Sequence, residues 1–274
     1  MFGSGSALLR NQGVDILLNI YFGVTINAAR GVTNKVQTTI YTFITNFQMA
    51  VNPQLTISIA QGDLDRNHTL VIQGSRFSFF LLTIFSVPLL ITTPQLLSIW
   101  LVEVPPYTVE FIRWTFIYLL WDSISRFLIN SVLAYGKIRT YQIVVGGTKL
   151  FAVPIVWVAL ELGASPLIGV WVNIFLELIC LCQRLYFNKI YNKLSFRRYL
   201  REVVIRCWIV FAIALGVNYL FMRFVTNNFF INAPLGVLLA CASIWYIGTN
   251  KEEKHLILSK SRSVISRKIN TEYE

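Results

Sequence analysis

Apolar residues run along this chain in long stretches broken by short polar punctuation. None of these stretches alternates with the period of two expected of a membrane barrel strand. A helix needs about 20 mainly apolar residues to cross the hydrocarbon of a bilayer. Eight segments suit that requirement: 9–23, 26–59, 74–98, 107–134, 139–162, 166–187, 204–224 and 230–249. The pattern predicts an all-α integral membrane protein with about eight transmembrane helices, the first short and the second long.

The first two segments are not uniformly apolar. Along the second, Asn27, Arg30, Asn34, Thr38, Tyr41, Thr45, Gln48 and Asn52 fall within about 60° of one line at 100° per residue. Ala29, Val32, Val36, Ile40, Phe43, Phe47 and Ala50 take the opposite side. In the first segment Asn11, Gln12, Asp15 and Asn19 share one quadrant. Lipid offers no hydrogen bonds, so such stripes are expected to face protein or a water-filled cavity. Amides and hydroxyls also knit transmembrane helices together with no ligand involved. The length of the second stripe, with Arg30 and nearby Lys35, favours a hydrated cavity whose cations pair with anionic groups, phosphate above all.

Composition and charge sharpen this picture. The chain is 55% hydrophobic and only 14% charged, far from ordinary globular usage. With the first helix running outward from the cytoplasm, the inner connections carry Arg10, Arg66, Arg76, Lys137 and Arg139, then a cluster of seven cations from Arg184 to Arg206. Together with the basic tail at 250–274, they hold 18 of the 24 Lys and Arg residues. The segments 92–107 and 161–167 hold none. Cytoplasmic connections retain Lys and Arg, so both termini are expected in the cytoplasm, with the tail against anionic lipid. The net charge of +11 is then a topology signal, and nucleic acid is not an expected partner.

Other chemistry is sparse. No phosphate-binding GxxxxGK[ST] loop occurs, so ATP bound to this chain is not expected to drive anything. The four cysteines sit inside apolar runs, Cys180 and Cys182 on nearly opposite sides of one helix, and no metal site or cofactor is expected. Asn67-His68-Thr69 fits a glycosylation acceptor but falls in an inner connection. Asp122 and Arg126, four apart, are spaced to neutralise each other. Glu177 shares a face with Asn173 and Arg184. Asp122 and Glu177 are the candidates for an ion-coupling site, with internal pairing the alternative for each. Arg113 is placed to snorkel, Gly146-Gly147 beside Lys149 to permit close helix packing, and Pro88, Pro94 and Pro154 to kink or break their helices.

Several stretches carry a family resemblance. NQGVDILLNIYFG followed by NAARGVTNKVQ, then FITNFQMAVNPQLTISIAQGD, resembles the second lobe of bacterial polysaccharide flippases. These belong to the multidrug/oligosaccharidyl-lipid/polysaccharide exporter superfamily, with its O-antigen and lipid II flippases. RFSFFLLTIFSVPLLITTPQLLSIWL, VPPYTVEFIRW and AYGKIRTYQIVVGG fit it too, and the similarity runs from about residue 3 to residue 190. It implies a six-helix lobe over 1–190 and two additional C-terminal helices over 191–249. The chain would then supply helices seven to fourteen of a MATE-like fold, as a fragment or as a half completed by a separately encoded lobe. The implied activity is transport of an undecaprenyl-diphosphate-linked oligosaccharide across the bacterial cytoplasmic membrane by alternating access, with no enzymatic step. The resemblance places the first two helices of the lobe on the central cavity. On helical geometry, Arg30 and Lys35 are expected on the diphosphate, and Asn11, Gln12, Asn27, Asn34 and Asn52 on sugar hydroxyls, with Asp15, Asn19 and Thr38 beside them. Two rival readings are an ion-coupled multidrug extruder of the same fold, which would be expected to present acids in its cavity, and a membrane-bound glycan polymerase or glycosyltransferase.

Overall fold

The computed structural model describes residues 2–136, 138–225, 229–249 and 253–254. These residues form helices, with no strand among them. In order they are α1 (Phe2–Ala60), α2 (Leu64–Trp100), α3 (Thr108–Ala134), α4 (Ile138–Leu150), α5 (Ala152–Glu161), α6 (Ile168–Asn192), α7 (Phe196–Tyr199), α8 (Arg206–Val225) and α9 (Phe229–Ser243). A π-helical turn joins α7 to α8, and another follows α9.

Among the described residues, six spans are long and apolar enough to cross a membrane: Leu64–Trp100, Thr108–Ala134, Ile138–Glu161, Ile168–Asn192, Phe196–Met222 and Phe229–Gly248. They fit a multi-pass membrane protein and coincide with the last six predicted segments. The first two predicted segments are the arms of α1, and neither is among the six. The reason is their polar side chains, which recur every three or four residues. The expected count of eight therefore becomes six by length and apolarity.

The arms of α1, 2–22 and 24–60, meet at Gly23, whose φ of 74° and ψ of −166° lie outside helical space. That conformation is essentially reserved for glycine, because a Cβ would clash there. The chain doubles back at this point, since Asp15 and Arg30 form an ion pair at 2.8 Å. Fifteen residues along a continuous helix would hold them about 22 Å apart. Positive φ also marks the later reversals at Gly62, Tyr107, Gly136, Gly163 and Lys193. Gly23, Tyr107 and Gly163 thus define one end of the bundle, and Gly62, Gly136 and Lys193 the other.

Proline accounts for two local departures from regular helix. Pro154 has no N–H for the carbonyl of Leu150, and the predicted segment 139–162 divides there into α4 and α5. Pro94 likewise deprives Leu90, and Arg113 Nε donates to that carbonyl at 3.0 Å instead. The predicted segment 204–224 begins earlier than its apolar run, with Ser195 capping α7.

α3 is the central element and packs against α1, α2 and α6. The larger apolar cluster gathers Phe79, Leu82, Phe116 and Phe127 with Ile44, Tyr199 and Phe211. A second cluster joins both arms of α1 to α5 and α6 through Val14, Leu18, Ile26, Val156 and Val170. Here Gly13 lies against Val153 and Gly169 against Val14, so tightly that a Cβ on either would sit 2.8 Å from a valine methyl. The expected close packing at Gly146-Gly147 is not found at Gly147, where a Cβ would meet nothing within 4 Å. α8 and α9 lie along α2. Arg76 on α2 holds both oxygens of Glu253 at 2.9 and 3.0 Å. Lys254 follows, its ammonium 5.9 Å from the Trp245 ring, while residues 250–252 and 255–274, including His255, lie outside the described residues, as does Lys137.

Candidate functional site

The polar residues of the bundle divide into those that complete their hydrogen bonds within the protein and those that line open space. The threonines of α1 belong largely to the first group. Thr33, Thr38, Thr39, Thr42 and Thr45 each donate to the carbonyl four residues earlier, at 2.7–2.9 Å. Their hydroxyls are satisfied by their own helix and make no demand for water. The stripe read from the sequence therefore owes its outward chemistry to its amides and charges.

Those groups surround two adjoining cavities between the arms of α1 and helices α3, α4 and α6. The first, of about 190 Å³, is lined by Arg10, Asn11, Asp15, Arg30, Asn34, Gln37 and Thr38 of α1, with Thr115 and Tyr118 of α3 and Asn173 of α6. The second, of about 400 Å³, lies nearer the Gly62 end. Its polar lining is Tyr41, Asp122, Arg126, Tyr141, Gln142, Lys149 and Arg184. Arg10, Asn11, Gln37 and Tyr118 border both.

The charges in this groove are arranged unequally. Arg30 is spent on Asp15, with Nε and Nη2 on one carboxylate oxygen at 3.0 and 2.8 Å. Arg126 holds Asp122 at 2.7 Å, and Tyr41 donates to the same carboxylate at 3.2 Å, its ring 4.8 Å from the guanidinium. Glu177 faces two cations at once, Arg184 in direct contact and Lys149 at 3.3 Å. Arg10 makes no ion pair among the described residues. Its guanidinium donates to the Asn11 side chain at 3.0 Å and approaches the Tyr118 ring. Five cations are thus set against three carboxylates. The surplus rests on Arg10 and on the Lys149–Arg184 pair.

Of the residues singled out from the sequence, Asn11, Asp15, Arg30, Asn34 and Thr38 line the first cavity and Asp122 the second. Glu177 stands behind Lys149 and Arg184, 1% exposed. Gln12, Asn19, Asn27 and Lys35 are exposed away from both cavities. Asn52 lies outside them too and accepts a hydrogen bond from Asn130 at 2.7 Å. The expected pairing of Arg30 with Lys35 is thus not assembled in the groove.

The cations that the groove does assemble were not legible as a group. Arg10 and Arg184 read as topology charges beside connections, Arg126 as a neutralised partner and Lys149 as a helix-packing neighbour. They come from four separate helices, far apart in sequence. The available signal was a tally of charges inside apolar segments, in which cations exceed acids.

No family model, curated protein or solved structure matches the chain.

A second polar constellation lies toward the Gly62 end and is closed to the groove. Asn67 donates to Ser58 at 3.3 Å and accepts from Ser131 at 3.1 Å. Asn192 donates to Ser131 at 2.7 Å and to Asn188 at 3.1 Å. Asn188 in turn donates to the carbonyls of Leu128 and Arg184 at 3.0 and 2.8 Å. His68 Nε2 lies 2.6 Å from the Asn192 carbonyl. A carbonyl only accepts, so that nitrogen carries a proton. Ser58, Asn67, Ser131, Asn188 and Asn192 are all buried, and they tie α1, α2, α3 and α6 together. The glycosylation triplet is thereby explained as packing, for its asparagine is 1% exposed.

Proposed function

We propose that this chain is the second lobe of a MATE-like flippase for lipid-linked oligosaccharides in a bacterial cytoplasmic membrane. In this reading the arms of α1 cross as two further spans, giving eight, and the first, N-terminal lobe faces the open side of the groove. The glycan and diphosphate of the substrate travel in the groove while the polyprenyl tail stays among the acyl chains. The observation that carries the proposal is the surplus of cations over carboxylates along one groove inside an apolar bundle. Buried charge in a membrane protein is costly and marks a pathway or ligand site, and guanidinium and ammonium groups match phosphate.

The distribution of surface residues supports the orientation. Trp100, Trp114, Trp157 and Trp171 are exposed toward the Gly23 end. Arg66, Arg139, Lys189, Lys193, Arg197, Arg198 and Arg201 are exposed toward the Gly62 end. Cations favour the cytoplasmic side and tryptophan the interface, so the Gly62 end faces the cytoplasm in this reading.

The test is translocation of an undecaprenyl-diphosphate-linked oligosaccharide across proteoliposomes holding the complete transporter. Arg10→Gln is expected to lower the rate at least tenfold with the fold intact. An unchanged rate in that variant would sink the proposal.

A further inference from the structure

The two cavities differ in kind, not only in size. In the first, the only formal charges besides Arg10 are Arg30 and Asp15, which cancel at 2.8 Å. What remains there is amide chemistry from Asn11, Asn34, Gln37 and Asn173. The Asn173 side-chain oxygen is buried and has no hydrogen-bond partner among the described residues. In the second cavity Arg126 cancels Asp122, but Lys149 and Arg184 share the single carboxylate of Glu177. Arg184 borders this cavity but is 1% exposed, and its Nε–H is buried and without a partner among the described residues. Two cations that share one carboxylate leave a net positive charge on this cavity, the electrostatic half of an anion site.

Arg10, with Gln37 and Tyr118, borders both spaces. It lies thirteen residues before the Gly23 turn, about 20 Å along its arm, which is roughly two-thirds of the way across a core of about 30 Å. We propose that the groove is a two-compartment site sorted by charge. The compartment nearer Gly23 takes a neutral, hydroxyl-rich portion of a ligand, and the compartment nearer Gly62 takes a phosphate-type dianion through Lys149, Arg184 and Arg10. Amides both donate and accept hydrogen bonds, as sugar hydroxyls do, and carry no charge to hold an anion. The substrate therefore lies in the groove with a fixed polarity, its anionic group toward the Gly62 end. The inference takes the ligand's identity from the transport reading above, but the charge sorting stands on geometry alone.

Titration of the purified full chain in detergent with inorganic pyrophosphate, at low and at physiological salt, tests the assignment. Pyrophosphate is expected to bind, more weakly as salt rises. Lys149→Gln and Arg10→Gln should each weaken it about tenfold. Asn34→Leu should leave it within about twofold, because that residue faces the neutral compartment. Glu177→Gln removes the one carboxylate that competes for Lys149 and Arg184, so it should tighten pyrophosphate severalfold. A merely structural role for Glu177 predicts no gain. Where Glu177→Gln lowers the yield of folded protein, the contrast between Lys149→Gln and Asn34→Leu decides in its place.

The proposal is overturned if pyrophosphate does not bind. It is also overturned if Asn34→Leu weakens binding as much as Lys149→Gln, or if folded Glu177→Gln binds no more tightly than the parent. Translocation separates the two readings. The expected binding pattern without oligosaccharide transport leaves the compartments standing and removes the flippase. Transport without that pattern does the reverse.

Discussion

Two polar regions flank α3, one sealed and one open, and they handle the cost of burying polar groups in opposite ways. The sealed region, around Asn67, Ser131, Asn188 and Asn192, is uncharged and built of short side chains that donate to one another or to backbone carbonyls. Its enthalpy is spent on joining four helices. The open groove holds eight formal charges, four of them in the one-to-one pairs Arg30–Asp15 and Arg126–Asp122, and retains one buried donor, Arg184 Nε–H, without a partner among the described residues. Unmet buried polar atoms occur in both kinds of region, on Arg184 Nε and Asn173 Oδ1 in the groove and on Asn192 Oδ1 in the sealed network, so it is the surplus of five cations over three carboxylates that sets the groove apart. The contrast separates polar residues that hold the fold from those arranged to meet something else.

Substitutions that act on one region and spare the other test this division. Glu177→Leu should be the most damaging, because it strands Arg184 and Lys149 in the interior. Breaking one side of a buried ion pair costs about 3–5 kcal/mol. Unfolding in mixed micelles should show that loss, and the double variant with Arg184→Met should regain part of it. A single-variant loss below about 1 kcal/mol would mean that the carboxylate is not compensating those cations. In the sealed region, Asn188→Ala leaves the Leu128 carbonyl without its side-chain donor and should cost about 1–3 kcal/mol. Pyrophosphate affinity should be unchanged in that variant, and a parallel loss of binding would break the proposed separation. Thr38→Val should do least, within about 0.5 kcal/mol, and leave translocation as it was. Its hydroxyl already donates to the Asn34 carbonyl at 2.7 Å, so a large effect on transport would return the threonine stripe to the ligand path.

The helices were legible because their signal is local. The apolar runs gave the six later spans to within a few residues, apart from the early starts at Leu64 and Phe196, and the boundary between segments 9–23 and 26–59 falls at the Gly23 junction of the α1 arms. The break at Leu150 followed from Pro154, although the sequence alone does not say whether a proline kinks or divides its helix. The site was legible only in part, for a physical reason. Helical periodicity tells which side chains share a face, but not whether that face meets water, lipid or another helix. Asn34 and Asn52 lie on one computed line. One borders a cavity, while the other is held by Asn130 across the helix interface. Lys35 lies on the exposed side of its arm although its neighbour Asn34 lines the cavity, because successive residues turn by 100°. The charge surplus was beyond reach residue by residue, because Arg10, Lys149 and Arg184 meet only after α1, α4 and α6 have packed.

One residue sets the length scale of the whole N-terminal region. Without the departure of Gly23 from helical space, residues 2–60 would form a rod of about 88 Å, nearly three times the thickness of a hydrocarbon core. An alanine there would favour that rod, and the wall that Asn11 and Gln37 build together would have no opposite side. The groove exists because one pair of dihedral angles lies where only a residue without a side chain can rest.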